Sequence, residues 1–208
     1  MTPSAKNKHG VVHVLDDDAS IRNALSRLLG AVGYEVRLHA TAASYLLEPR
    51  ADGRPTCLIL DVRMPEVGGL EIQEALSRLR IAVPIIFLTG HGDIPMSVKV
   101  MRAGASDFLT KPVKRDKLLE AVAAAMERHA ASNAGRAQVT ELQARFDSLT
   151  AREREVFRGV VAGKLNKQIA ADLDIAERTV KAHRSQVMEK MCADSLADLV
   201  RQAEHLPL

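Results

Sequence analysis

The sequence predicts two domains: a doubly wound α/β domain built on a five-stranded parallel sheet, then a small all-α domain of four helices. Three observations predict it. Short runs of β-formers alternate with helix-period segments five times before residue 128, the order that yields a parallel sheet with right-handed crossovers. The third and fourth runs, CLIL and IIFL, are wholly apolar, as strands covered on both faces must be. Beyond Leu149 only helical periodicity remains. A length of 208 residues fits two modest domains.

In order, the strands are Val11–Leu15, Glu35–His39, Cys57–Leu60, Ile85–Leu88 and Asp107–Thr110. The helices between and after them are Ala19–Val32, Thr41–Leu47, Leu70–Leu79, Ile94–Ala103 and Lys114–Glu127. Pro65, Gly68 and Gly69 read as turn residues. Ala130–Gly135 is small and polar without a bulky anchor and reads as a linker or a frayed helix end, with a short linker helix over Gln138–Phe146. Thr150 and Glu153 have capping-box spacing at the next helix, and Gly163 closes it. Asn166 is a cap for a helix over Lys167–Leu173. A third helix runs from Ala176 to Met191, and a fourth starts at Ser195. The expected division is 10–128, a helical linker over 129–146, and 147–208.

Composition excludes several classes. At 47% apolar and 26% charged, the chain is neither disordered nor fibrous. No apolar run approaches the ~20 residues that span a bilayer, and no apolar stretch follows the basic N-terminus to make a secretory signal. Cys57 and Cys192 are alone and far apart, which suits a reducing cytoplasm. The net charge is +3, too small to prove a nucleic-acid partner. Residues 1–128 carry 17 basic and 15 acidic side chains, and residues 129–208 carry 12 and 11. Within Glu177–Lys190, however, four basic residues meet two acidic ones, so the basicity is local.

Asp16, Asp17 and Asp18 follow the first strand, and Asp61 ends the third. In the flavodoxin-like order 2-1-3-4-5 those strands are neighbours, and ligands bind beyond their carboxyl ends. Asp16, Asp17 and Asp61 then converge, which is unfavourable unless cations relieve the repulsion. A hard divalent ion such as Mg²⁺, bound through carboxylates, waters and phosphate oxygens, does so, and Lys111 at the end of the fifth strand is aimed at the same place. The pattern makes electrostatic sense as a Mg²⁺-assisted phosphoryl site. Asp runs after strands also serve as plain helix caps, which fits Asp17 and Asp18 but leaves Asp61, Thr89 and Lys111 unexplained. His91 lies beside the site, without a second His at metal-ligand spacing.

The runs VLDDD, LILDVRMPEVGGLE, IIFLTGHGD and DFLTKP resemble the receiver domain of bacterial two-component response regulators over about residues 10–128. The resemblance implies that Asp61 accepts a phosphoryl group from a sensor histidine kinase, and that Asp16 and Asp17 hold Mg²⁺ with Asp61 and the backbone carbonyl of Arg63. It implies that Thr89 and Lys111 bind phosphoryl oxygens and that Phe108 is the switch aromatic, turning inward once Thr89 moves toward the phosphate. It also implies a cis bond at Lys111-Pro112. Phe108 and Lys111-Pro112 have blander readings as a core aromatic and a turn.

From Lys167 onward a short helix, a tight turn and a longer basic helix have helix-turn-helix texture. Ile169, Ala170, Leu173, Ile175 and Val180 are spaced to join the two helices. Arg178, Lys181, Ala182 and Ser185 share one face of the longer helix and are candidates for base edges. His183, Arg184 and Lys190 are candidates for phosphates, and Lys167 and Thr179 complete the expected DNA-contacting set. The stretch LTAREREVFRGVVAGKLNKQIAADLDIAERTVKAHRSQVMEKM resembles the LuxR-type helix-turn-helix domain of the NarL/FixJ family, most of all its FixJ-like branch. Ala176 departs from the Ser common at that cap. The resemblance implies a cytoplasmic transcription regulator, mostly an activator in that branch, which dimerises on phosphorylation through the fourth helix and fifth strand. It would bind a pseudo-palindromic site in double-stranded DNA, with RNA polymerase as a further partner. A Mg²⁺-dependent phosphatase or other phosphotransfer enzyme would want a second acidic residue two positions after Asp61, where this chain has Arg63, and no P-loop, G-x-S-x-G or H-E-x-x-H is present. A receiver that only dimerises, without phosphorylation, is argued against by the intact Asp16, Asp17, Asp61, Thr89 and Lys111.

Overall fold

Five strands and nine helices follow one another among the described residues of the computed structural model, which are 9–48, 53–65, 67–90 and 94–206. Val11–Leu15 (β1), Ala19–Ala31 (α1), Glu35–His39 (β2), Ala42–Leu46 (α2), Thr56–Asp61 (β3), Gly69–Arg78 (α3), Ile85–Thr89 (β4), Ile94–Arg102 (α4) and Asp107–Thr110 (β5) form the first part. All strand pairs are parallel, in the order β2-β1-β3-β4-β5. This is the expected doubly wound order. β3 and β4 run one residue further than their apolar runs, so Asp61 and Thr89 are the last residues of their strands.

Strand alternation sorts the core into two layers. On one face Val12, Val14, Cys57, Ile59, Ile86 and Leu88 pack with Leu25 and Leu29 of α1 and with Leu118 and Val122 of the helix that follows β5. On the other, Leu15, Leu58, Leu60 and Phe87 pack with Tyr45, Ile72, Leu76 and Val100 from α2, α3 and α4. The low aromatic content leaves the first layer to aliphatics and Cys57, while Tyr45 and Phe87 are buried in the second. Burial pushes the Cys57 thiol up to about 12, so it is an inert core side chain. The second layer also holds a buried polar pair, with His13 Nδ1 2.9 Å from His39 Nε2.

The chain divides into two units, residues 1–133 and 134–208. The helix after β5, Arg115–Asp147 (α5), is continuous, so the segment 129–146 is helical as expected, Ala130–Gly135 is not a helix end, and Gln138–Phe146 is part of a longer helix. Alanines favour helix throughout this stretch, and the single Gly135 costs only about 1 kcal/mol relative to Ala. His129 accepts the Thr56 amide at 3.0 Å, so α5 is still tied to the start of β3 at that point.

In the second unit Ala151–Val161 (α6), Asn166–Leu173 (α7), Glu177–Lys190 (α8) and Leu196–Ala203 (α9) surround a core of Phe146, Val156, Phe157, Val160, Ile169, Val180, Val187 and Leu199. Leu173 and Ile175 pack against it from the side. The Thr150–Glu153 capping box is formed. Gly163, at φ +77°, sits one residue past the helix cap, and its backbone and that of Lys164 turn back onto Val160 and Gly159. Asn166 does not cap α7. Leu165 holds the cap position and its amide is satisfied by Gln168 Oε1 at 2.7 Å, because the Asn166 side-chain oxygen is taken by Arg184 at 3.1 Å.

Candidate functional site

At the carboxyl edge of the sheet the register Leu15↔Leu60 sets Asp16 level with Asp61, and Asp61 pairs with Leu88, one residue before Thr89. One carboxylate oxygen from each of Asp16, Asp17 and Asp61 lies within 4.8 Å of the others. Asp16 and Asp61 are buried, and Asp17 is exposed. Lys111 Nζ donates to Asp16 Oδ2 and to Asp61 Oδ2, each at 2.7 Å. Burial pulls this ammonium down, but the hydrogen bonds and charges of Asp16 and Asp61 outweigh it and raise it above its ordinary value. Lys111 therefore stays a cation and compensates part of the carboxylate repulsion.

Backbone groups complete the frame. Asp16 Oδ1 accepts the Asp18 amide at 2.9 Å, and Asp61 Oδ1 accepts the Arg63 amide at 3.1 Å. Asp18 caps α1 through Ser20, whose amide and hydroxyl both donate to it at 2.7 Å, and those bonds hold its carboxyl below the usual range. Asp18 thus serves the fold, while Asp16 and Asp17 face the site. Arg22, which sequence reasoning missed, donates to the Asp16 carbonyl at 2.7 Å and fastens the turn beneath the carboxylates. Its only signal is the placement of an Arg one turn into the helix.

Thr89 is buried at the end of β4, and its carbonyl accepts the Lys111 amide at 2.7 Å. Phe108 is the second residue of β5, beside Phe87 in register, and is half-buried against the second core layer. The Lys111-Pro112 bond is cis. Gly69 opens α3 directly against Asp61, where a Cβ would lie 2.6 Å from the Asp61 carbonyl oxygen and 2.9 Å from Phe87, so its role is close approach rather than a turn. His91 lies outside the described residues.

Three hard carboxylate donors within 4.8 Å of one another, two of them buried, suit a small divalent cation. Oxygen ligands of this kind select Mg²⁺ over softer metals, so the residues present fit that ion.

In the second unit, α8 presents Arg178, Lys181, Ala182 and Ser185 as exposed residues, with Val180 and Val187 buried behind them. The expected face therefore forms. Thr179 and His183 are half-buried, and Lys167 is exposed on α7. Ala176 occupies the cap of α8 with no side-chain bond. Two of the expected phosphate contacts have their cationic ends engaged within the unit. Arg184 bonds Asn166, and Lys190 Nζ bonds both carboxylate oxygens of the buried Glu153, at 2.7 and 3.0 Å. Sequence spacing gives Glu153 a capping role and gives no sign of this second partner, 37 residues away.

Residues 12–123 match the response regulator receiver domain, and residues 147–203 match the luxR family of bacterial regulatory proteins. The chain is 44% identical over 200 residues to the response regulator protein TodT of Pseudomonas putida, covering 96% of this chain and 88% of that protein. It is 43% identical over 192 residues to the transcriptional regulatory protein FixJ of Rhizobium meliloti, covering 92% and 94%. Among solved structures, the response regulator StyR matches with a TM-score of 0.85 at 42% identity, over 94% of this chain and 98% of that one.

Proposed function

The chain belongs to the two-component response regulators of the NarL/FixJ type, which join a receiver to a LuxR-type DNA-binding domain, and from that premise we propose that Asp61 is its phosphoacceptor. The observation that carries this reading is the convergence of Asp16, Asp17 and Asp61 with Lys111 bonded to the Asp61 oxygen. The receiver is assigned to residues 10–128, a helical linker to 129–146 and the DNA-binding domain to 147–208.

A receiver implies a sensor histidine kinase as donor. An Asp61 oxygen attacks the phosphorus, the O–P bond forms as the P–N bond to the donor imidazole breaks, and the imidazole leaves with the bonding pair. Asp16, Asp17, Asp61 and the Arg63 backbone carbonyl would hold Mg²⁺. When bound, that ion supplies neutralisation of the charge on the phosphoryl oxygens. Lys111, now shared between Asp16 and Asp61, is placed to follow the new charge. Replacing a carboxylate by an acyl phosphate adds roughly one negative charge, and the Thr89 hydroxyl is assigned to meet it. Phe108, packed half-buried beside Phe87, is the element that responds. Self-phosphorylation from small donors and self-dephosphorylation at Asp61 are the only catalysis assigned.

The response is dimerisation through α4 and β5, which presents two α8 helices to a pseudo-palindromic site in double-stranded DNA. Arg178, Lys181, Ala182 and Ser185 meet base edges. Lys167, Thr179, His183 and the free guanidinium edge of Arg184 meet the backbone, while Lys190 is assigned to Glu153. Transcriptional activation in the cytoplasm, with RNA polymerase as a further partner, completes the reading. None of the described helices is long and apolar enough to cross a membrane. Sedimentation of the chain with acetyl phosphate and Mg²⁺ tests it. The mass of a dimer is expected, and an unchanged monomer mass contradicts phosphorylation-driven dimerisation.

A further inference from the structure

A small cavity of about 100 Å³ opens beside the carboxylates, walled by Asp17, Ala40, Ala42, Met64, Pro65 and Val67. Its walls come from the turn after β2 and the turn after β3, so it lies on the same edge of the sheet as Asp61. Asp17 belongs to both places. It lines the cavity, and its oxygen is within 4.8 Å of that of Asp61.

Among the described residues the lining is aliphatic apart from two groups. Asp17 faces the carboxylate cluster, and the Thr41 hydroxyl is committed to capping α2, accepting the Ser44 amide at 3.2 Å. Water there finds few partners, and displacing poorly held water by an apolar group is favourable. An aliphatic cavity of about 150 Å³ takes benzene. This smaller, half-open one has room for the branched end of one aliphatic side chain.

What could bring such a side chain is limited by the neighbouring chemistry. For transfer, the phosphohistidine must come within about 3–3.5 Å of its acceptor oxygen, so the protein that carries it has to cover this edge of the sheet. A cavity sharing Asp17 with the acceptor site falls under the same footprint. We propose that this cavity is a specificity pocket for the kinase, receiving one Val, Leu or Ile side chain that flanks the phosphohistidine on the donor surface. Small donors such as acetyl phosphate deliver the phosphoryl group without entering it. The pocket thus favours a protein donor over a small one and disfavours donors carrying a charged residue at that place. The proposal rests on Asp61 as the acceptor.

The test fills the pocket and compares two donors. Ala40→Leu and Ala42→Leu each place a new aliphatic chain at its wall, and Val67→Ala widens it. The protein donor is the purified, phosphorylated histidine kinase that transfers fastest to the unmodified chain in a profile of the kinases of its source organism; the small donor is acetyl phosphate with Mg²⁺. Transfer from the kinase is expected to fall at least tenfold in the filled variants and by a smaller factor in Val67→Ala. The rate with acetyl phosphate should stay within twofold, which also shows that each variant is folded. Kinase transfer unchanged in both filled variants overturns the pocket, and so does an equal fall with both donors. No phosphorylation of the unmodified chain by either donor overturns the Asp61 reading instead.

Discussion

Lys111 Nζ lies 2.7 Å from Oδ2 of Asp61 and 2.7 Å from Oδ2 of Asp16. One ammonium thus bridges the ends of β1 and β3 and makes an otherwise repulsive pair tolerable at rest. Removing it leaves two buried carboxylates facing each other. Breaking a buried charge pair costs about 3–5 kcal/mol. Lys111→Met is expected to lower the receiver's thermal midpoint in the absence of divalent ions, and Mg²⁺ should recover more of the loss than it adds to the unmodified chain. Calorimetry with and without Mg²⁺ checks this; equal Mg²⁺ effects on the two proteins would contradict it.

Glu153 and Lys190 form the corresponding pair in the DNA-binding unit. The Lys190 ammonium, then the Thr150 amide, hold the buried Glu153 carboxyl below its usual range. A depressed carboxylate contributes stability that is fully present above its unfolded value and is lost as pH falls through the folded one. Glu153→Gln is therefore expected to cost about 2 kcal/mol at neutral pH, with the difference shrinking as pH falls below about 4. Denaturant melts across pH measure it, and a difference independent of pH would rule out the charge as the cause.

Because Lys190 serves this pair, Lys190→Met should destabilise the fold without changing the salt dependence of DNA binding. Loss of a phosphate contact would instead reduce the slope of log K against log salt by about 0.9.

Ala176 caps α8 with extended backbone at φ −70°, ψ 144°, the geometry of a capped helix, but offers no oxygen. Ala176→Ser supplies one. A gain of about 1 kcal/mol raises the midpoint of a domain this size by about 4–8 °C. An unchanged or lower midpoint of the second transition would show that the helix start is already satisfied.

Arg178 and Lys181 stand exposed on the face of α8 opposite buried Val180 and Val187. Arg178→Ala should cost about 1–3 kcal/mol in binding and relax sequence preference, whereas Lys167→Ala should weaken all sequences evenly. Titrations against the footprinted operator and its point variants separate the two behaviours.

The sheet order and the convergence of the carboxylates with Lys111 were legible because both are written locally. Apolar runs set β3 and β4, and the polar residues that end a strand (Asp61, Thr89) or follow one directly (Asp16, Lys111) had only one edge to occupy. What escaped was non-local or unpatterned. Ala130–Gly135 carries no buried face, so the sequence could not show that its helix runs unbroken from Arg115 to Asp147. Asn166 reads as a cap until Arg184, 18 residues on, claims its oxygen. The His129 bond to the Thr56 amide spans 73 residues, and no spacing rule reaches that far.

The central claim is that Asp61 accepts a phosphoryl group and that this controls DNA binding. The direct measurement is intact-mass analysis and operator binding, side by side, of the unmodified chain and Asp61→Asn after incubation with acetyl phosphate and Mg²⁺. One added phosphoryl group and tighter operator binding are expected for the unmodified chain, and neither change for Asp61→Asn. Phosphorylation of Asp61→Asn to the same extent, or equal operator binding by the phosphorylated and unphosphorylated chain, would contradict it.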